Sequence, residues 1–429
     1  MDATTDRPRL RIALVYDALV PYCAGGAERR FFELGTRLAA RHDVHYVTWR
    51  FWGHEPSIVR DGMTLHGIGE PRGFYGSDGK RTIREALEFA ARLPATLARL
   101  PVDVIDISAT PYLPLYAAWA TTRLTRTPLV ATWHEFWGDH WTAYLPDRPV
   151  VARIARLAEK WARPLADRRI AVSAFTAGRL AAGRPDRWPV EVVGNGVNGR
   201  ALASAKRDPE RSDVLFVGRL IDEKRVDLLV RAVAELSVRY PALRCLIAGD
   251  GPEAARLAAL AVELGVEDRV RFLGPVPDER IPALMRASRI LVMPSVREGY
   301  GISVVEGQAC GLVPVVVRSP LSAAPELVSD GVDGVICEPT AGGIAEALNG
   351  LLVDEPLRRR MARAAEGAAA GRGWDARATE MEAVYLKLVA ARGPRRSRGG
   401  LRRPSAPDVV PAPGRTTAEP ARQLGERPW

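Results

Sequence analysis

The stretch Arg11-Ile-Ala-Leu-Val-Tyr16, the turn at Gly25-Gly26 and the periodic run from Ala27 to Arg41 decide the fold. The first piece is a short apolar run between polar flanks, the pattern of a buried strand. In the third, Phe31, Leu34 and Leu38 recur at helical spacing. Strand, glycine turn, helix is the first half of a crossover unit, and the cycle repeats along the chain. Further apolar strands are expected at Val44-Thr48, Val102-Ile107, Leu129-Thr132, Arg169-Val172 and Val190-Val193, with helices near 82–100, 113–126, 149–164 and 174–182. Strands alternating with helices of this length indicate a parallel sheet covered on both faces.

The pattern lapses over a polar stretch, Asn198 to Ser212, and restarts with Asp213-Val-Leu-Phe-Val217. Strands at Arg244-Ala248, Val270-Leu273, Ile290-Met293, Val313-Val317 and Gly334-Cys337 complete a second sheet, with a helix near 226–239. The expected fold class is therefore α/β, two Rossmann-like domains facing across a cleft. The expected boundaries are a tail at 1–9, a first domain at 10–198, a linker at 199–212 and a second domain at 213–373. A closing helix at 374–391 would return to the first domain, ahead of an Arg/Pro-rich tail at 392–429 whose composition predicts disorder. A length of 429 residues suits two such domains.

The net charge of +10 suggests nucleic acid at first sight, but nine arginines against three acids from Arg392 onward leave only about +4 on the body. Aromatic-basic interleaving is missing outside the tail, so a nucleic-acid role is the weakest option. The four cysteines, Cys23, Cys245, Cys310 and Cys337, form no CxxC pair and have no histidines beside them. Their scatter predicts neither a zinc site nor a disulfide framework, and fits a reducing cytoplasm. The N-terminus lacks a signal-peptide pattern, and no apolar run reaches the roughly 18–20 residues that span a bilayer.

Open α/β sheets bind ligands beyond the carboxyl ends of their strands, and the unusual residues fall there. Gly25 and Gly26 precede the first helix, whose free N–H groups suit a phosphate. A tight turn without a ligand fits the same residues. Gly218-Arg219-Leu-Ile-Asp-Glu-Lys224 follows a strand and carries two cations five residues apart. They could clamp a diphosphate and stabilise a departing anion, or simply be solvated. The richest segment is Met293-Pro-Ser-Val-Arg-Glu298-Gly299-Tyr300-Gly301-Ile302-Ser303-Val-Val-Glu306. Glu306, in the first turns of a helix, could hold a ribose diol, and Glu298 could bond sugar hydroxyls. His134, between Trp133 and Trp137 at a strand's end, is placed to contact a sugar, although such aromatics also serve as packing.

In order and spacing, these segments resemble the retaining glycosyltransferases of family 4, which have the GT-B fold. The matching stretches are GGAER (25–29), WHEFW (133–137), SAFTAGRL (173–180), NGVN (195–198), VGRLIDEK (217–224), AGDGPE (248–253) and EGYGISVVEGQACG (298–311), with Trp374 and Tyr385 late in the chain. The resemblance implies that Gly26 approaches the donor diphosphate, His134 the transferred sugar, Arg219 and Lys224 the diphosphate, Glu298 the sugar and Glu306 the ribose. The implied catalytic set is His134, Arg219, Lys224 and Glu298. The implied donor-binding set is Gly25, Gly26, Asn195, Gly218, Gly299, Tyr300, Gly301, Ile302 and Glu306. Four departures stand out: Arg225 where glycine usually follows the clamp lysine, Asn198 where Asp is common, Gly311-Leu-Val-Pro314 one residue longer than the common form, and Arg318-Ser-Pro-Leu without the usual glycine pair.

The implied activity moves a sugar from a nucleotide-diphosphate sugar to a hydroxyl acceptor with retention, with no metal required, and the lack of a DxD run agrees. The acceptor could be a sugar, a lipid-linked group or a small molecule. Alternatives are a non-catalytic nucleotide-sugar-binding protein and a nucleotide-sugar 2-epimerase. In the expected helix 149–164, Arg153, Arg156, Lys160 and Arg163 line one side beside Ile154, Leu157 and Trp161. Such a helix could rest on anionic lipid. The commoner arrangement, a solvated basic face over a core stripe, is the expectation here.

Overall fold

The structure, a computed structural model, describes residues 8–23, 25–71, 73, 74, 82–183 and 189–392. Ala24 and most of both expected tails, 1–7 and 393–429, lie outside the described residues. The chain forms two compact units. Among the described residues, the first holds those up to Val172, those of Thr176–Val193 and 377–392; the second holds Ser173–Phe175 and Gly194–Ala376.

The sheet of the first unit contains β1 (Arg11–Val15), β2 (Asp43–Thr48), β3 (Ser57–Arg60), β4 (Met63–Gly67), β5 (Val104–Ser108), β6 (Leu129–Trp133), β7 (Arg168–Ala171) and β8 (Val190–Val192). Their spatial order is β3-β4-β2-β1-β5-β6-β7-β8, and only the β3–β4 pair is antiparallel. That hairpin was not foreseen, although Asp61 (φ 50) and Gly62 (φ 80) supply the two left-handed residues that a tight hairpin turn demands. Ile12, Leu14, Val15, Ile105 and Ile107 are all buried, as strands covered on both faces require.

The second unit repeats the scheme with β9 (Val214–Val217), β10 (Cys245–Ala248), β11 (Val270–Gly274), β12 (Ile290–Met293), β14 (Val313–Val317) and β16 (Val335–Cys337), in the parallel order β11-β10-β9-β12-β14-β16. A separate pair joins β13 (Arg297–Glu298) to β15 (Leu321–Ser322). In each sheet the strand order reverses beside the first strand of the unit, between β1 and β5 and between β9 and β12. Loops leaving those strands diverge to opposite faces and open a crevice at the sheet's carboxyl edge.

The stretch 199–212, expected as a linker, contains the helix Gly199–Ser204 and lies in the second unit. Leu202 is its only buried apolar side chain, beside the buried polar residues Asp208 and Ser212, which is why the stretch reads as polar. The helix Trp374–Ala390 begins in the second unit and passes into the first at Arg377. There the Tyr385 hydroxyl donates to Asp106 Oδ2 (2.6 Å) and His42 Nε2 bonds Glu382 (3.0 Å).

The helix Pro149–Ala162 overturns the expectation of a core stripe. Its buried residues are Ala152, Glu159 and Ala162, while Ile154, Leu157 and Trp161 are exposed. Among the described residues no helix is long and apolar enough to cross a membrane.

Candidate functional site

In the second unit, the crevice is flanked by the loops that leave β9 and β12. The β9 loop is held by its neighbour: Gly218 N–H donates to Ala248 O (3.0 Å), Leu220 N–H to Asp250 O (2.8 Å) and Glu253 N–H to Leu220 O (3.0 Å). Gly249 (φ +144) and Gly251 (φ +158) permit this approach, since a Cβ on either would lie 1.8 Å from Gly218 O or 2.3 Å from Leu220 O. The AGDGPE segment thus acts on the site by fixing the backbone of Gly218 and Leu220, on either side of Arg219. The Arg219 side chain is exposed and has no hydrogen-bond or ion-pair partner among the described residues.

Next comes the 3-10 turn Asp222–Lys224, and then Arg225, which occupies the left-handed region (φ 47, ψ 41) normally left to glycine. Its guanidinium forks onto Asp227 at 3.0 and 3.1 Å. That bidentate pair offsets the strain, so the departure from the family pattern keeps a glycine-like bend.

The two loops meet where Lys224 Nζ donates to Glu298 Oε1. Lys224 and Glu298, expected to take separate ligands, bond each other. Glu298 lies on β13, whose pairing with β15 is continued by Ala323 N–H donating to Glu298 O (2.8 Å). The unusual 318–321 segment is tied in as well, because Ser319 Oγ donates to Val296 O.

Beyond Glu298 the Ser173 hydroxyl donates to Gly299 O (2.8 Å), and the Tyr300 hydroxyl to Asn195 O (2.8 Å). Tyr300 is buried against Gly194, where an added Cβ would stand 3.2 Å from its ring. Gly301 (φ +95) precedes the helix Ile302–Ala309, so the first N–H groups of that helix face the carboxyl edge of the sheet. Glu306 is buried rather than solvent-facing. Burial, reinforced by the Glu306 charge, pushes the Cys310 thiol up to about 12, so it stays a thiol.

In the first unit, Gly25 is extended (φ 176) and Gly26 opens the helix Gly26–Ala39. A Cβ on Gly26 would meet no protein atom within 4 Å, so the protein's own packing sets no demand for glycine there. His134, just past β6, lies against Tyr16 and Phe31, with ring centroids 6.4 and 6.0 Å away. Burial, with the Arg30 charge nearby, pushes its imidazole down to about 3, so the ring is neutral at physiological pH. Its Nε2 has no hydrogen-bond partner among the described residues.

The flanking tryptophans are packing. Trp133 is fully buried against Tyr112 and Phe136 at 5.9 and 6.1 Å, and Trp137 stacks on Trp141 at 4.5 Å. A residue missed from sequence holds this loop. Glu159, buried on the helix Pro149–Ala162, accepts the N–H groups of Trp137 (2.7 Å) and Gly138 (2.6 Å) and the Tyr112 hydroxyl (2.5 Å). Burial raises its pKa, and these donors oppose the rise. The available signal was a single acid in a helix of otherwise basic polar residues. A second buried carboxylate, Asp106, fixes the end of β6 by accepting from Thr132 Oγ1 (2.8 Å) and Tyr385.

Comparison with known proteins follows the same division. The family model described as Glycosyltransferase Family 4 matches residues 24–199, and that described as Glycosyl transferases group 1 matches residues 191–368. The D-inositol 3-phosphate glycosyltransferase of Corynebacterium efficiens is 30% identical over 393 residues, 86% of this chain and 92% of that protein. The protein of the same description from Salinispora arenicola is 37% identical over 259 residues, 54% of this chain and 57% of that one. Among solved structures, Anabaena HepE in complex with UDP-glucose superposes with a TM-score of 0.68 at 21% identity, covering 88% of this chain and all of that one.

Proposed function

The chain belongs to glycosyltransferase family 4, with the two-domain GT-B fold, and from that premise we propose how its residues divide the work of moving a sugar from a nucleotide diphosphate to a hydroxyl acceptor with retention. The observation that carries the proposal is the convergence of Arg219, the Lys224–Glu298 pair and a glycine-capped helix N-terminus at one sheet edge. Arg219 and Lys224 neutralise the diphosphate as the bond between the anomeric carbon and the phosphate oxygen breaks. The N–H groups after Gly301 share that charge. Glu298 uses one oxygen to orient Lys224, and its second is available to sugar hydroxyls. Glu306 takes the ribose diol.

In the first unit, Gly26 is the glycine that lets a diphosphate approach the backbone. His134 offers the transferred sugar a neutral imidazole, which polarises a hydroxyl without adding charge. The acceptor oxygen attacks the face that the phosphate leaves, and its proton passes to the departing phosphate oxygen. Positioning supplies much of the rate, and no enzyme nucleophile is required. Charge neutralisation by two side-chain cations and a helix end requires no metal.

UDP is the donor nucleotide favoured by HepE's recorded complex with UDP-glucose, and an inositol phosphate is the first acceptor to try, given the relatives' description. The test is nucleotide release from UDP-, GDP-, ADP- and dTDP-sugars, with and without an acceptor pool that includes inositol phosphates, in the presence of EDTA. Acceptor-stimulated release from one donor is expected. Tight donor binding without release across the pool would overturn the reading in favour of a sensor. Isomerisation of the donor alone would point to an epimerase, and loss of turnover in EDTA would remove the metal-free assignment.

A further inference from the structure

Val150, Ile154, Leu157 and Trp161 on the helix Pro149–Ala162 are 68%, 61%, 52% and 64% exposed. At about 100° per residue, these four positions fall within roughly 60° of arc, one narrow stripe along the helix. A stripe of this kind ordinarily faces a core. Here the opposite face is the one turned inward, and the reason is Glu159. Its carboxylate accepts from Trp137 N–H, Gly138 N–H and the Tyr112 hydroxyl, and Ala152 and Ala162 lie buried beside it. Rolling the helix to bury the stripe would strip a buried carboxylate of those donors, a change costing several kcal/mol. The outward stripe is therefore a fixed feature of the first unit.

The exposed charge on the helix itself has one sign. Glu159 is the only acid in the helix and faces inward, while Arg153, Arg156 and Lys160 are exposed along one flank. Arg156 pairs with Asp139 (2.5 Å), whereas Arg153 and Lys160 have no partner among the described residues. Isoleucine, leucine and tryptophan beside unpaired cations match a lipid surface of negative charge: the apolar side chains enter the acyl boundary and the cations meet headgroup phosphates. A basic protein partner is excluded by the same charge, and a second copy of this face would set cation against cation.

We propose that the outer face of the helix Pro149–Ala162 docks this protein on anionic membrane surfaces. The contact does not depend on the transferase assignment. The test is co-flotation of the full chain with phosphatidylcholine vesicles with and without phosphatidylglycerol, at low and high salt. Binding is expected only with the anionic vesicles, weakened by salt. The double variant Ile154→Glu, Leu157→Glu should lower the bound fraction about tenfold or more, and Arg153→Gln with Lys160→Gln should abolish the anionic preference. Neither variant should change the melting temperature or vesicle-free nucleotide release, since these side chains touch neither core nor site. No flotation of the wild type, or equal flotation of wild type and double variant, would overturn the proposal. So would a solution dimer that the double variant dissociates, which would give the face to a second copy.

Discussion

At position 219 an arginine stands exposed on a loop whose backbone is pinned by three hydrogen bonds and two close glycine contacts. A side chain in that state contributes little to stability, because exposed residues without partners change it by about 0.5 kcal/mol or less on substitution. Removing a cation aimed at developing negative charge lowers turnover by about 100- to 1,000-fold. Arg219→Ala is therefore expected to keep the wild-type melting temperature and lose acceptor-stimulated nucleotide release. Melting and release measured on the same preparation check this, and retention of release would remove Arg219 from the site. The reverse is expected at Gly249. Gly249→Ala places a methyl 1.8 Å from Gly218 O at φ +144 and should cost about 2–4 kcal/mol in urea unfolding.

At the scale of an element, the helix Pro149–Ala162 was legible as a helix and misread in orientation. Its stripe of Ile154, Leu157 and Trp161 has the spacing of a buried face, but one carboxylate with three donors outweighs the stripe. Local periodicity cannot report this, since the donors belong to the loop after β6 and to Tyr112. Glu159→Ala should free the 137–141 loop and destabilise the first unit by about 3 kcal/mol or more, because two backbone N–H groups lose their acceptor. Tryptophan fluorescence should shift with it, given the stacking of Trp137 on Trp141. An unchanged spectrum and melting temperature would show that the loop is held by other contacts. The β3–β4 hairpin was missed for a related reason: of the Met63–Gly67 strand only Met63 and Leu65 are buried, so its apolar signal is short.

At the scale of the whole molecule, each sheet carries its own core, and a few buried ionisable groups make stability depend on pH. Burial pushes Asp106 up to about 6, against the donors from Tyr385 and Thr132. With the folded pKa above the unfolded one, the folded state keeps a proton between about pH 4 and 6 that the unfolded chain has lost. Asp106 therefore makes stability fall as pH rises through that window, by about 3 kcal/mol at most. In Asp106→Asn that contribution disappears, so the variant should gain on wild type between pH 4 and 7. Parallel urea titrations check this, and a difference that does not vary with pH would reject it.

The sequence by itself determined the two βα cycles, the family and the short set of site candidates, because apolar runs, helical spacing and glycine turns are written within a few residues of one another. It also marked Glu298, Glu306, Arg219 and Lys224 as the residues to watch. Only the tertiary structure decided that Lys224 and Glu298 bond each other, that Trp133 is packing, that Arg225 takes a glycine's conformation with Asp227's help, and which way the helix Pro149–Ala162 faces. Pairings across 74 residues, or between a helix and a distant loop, depend on which elements the sheet brings side by side. That arrangement follows from packing two faces of each sheet at once, and no local pattern encodes it.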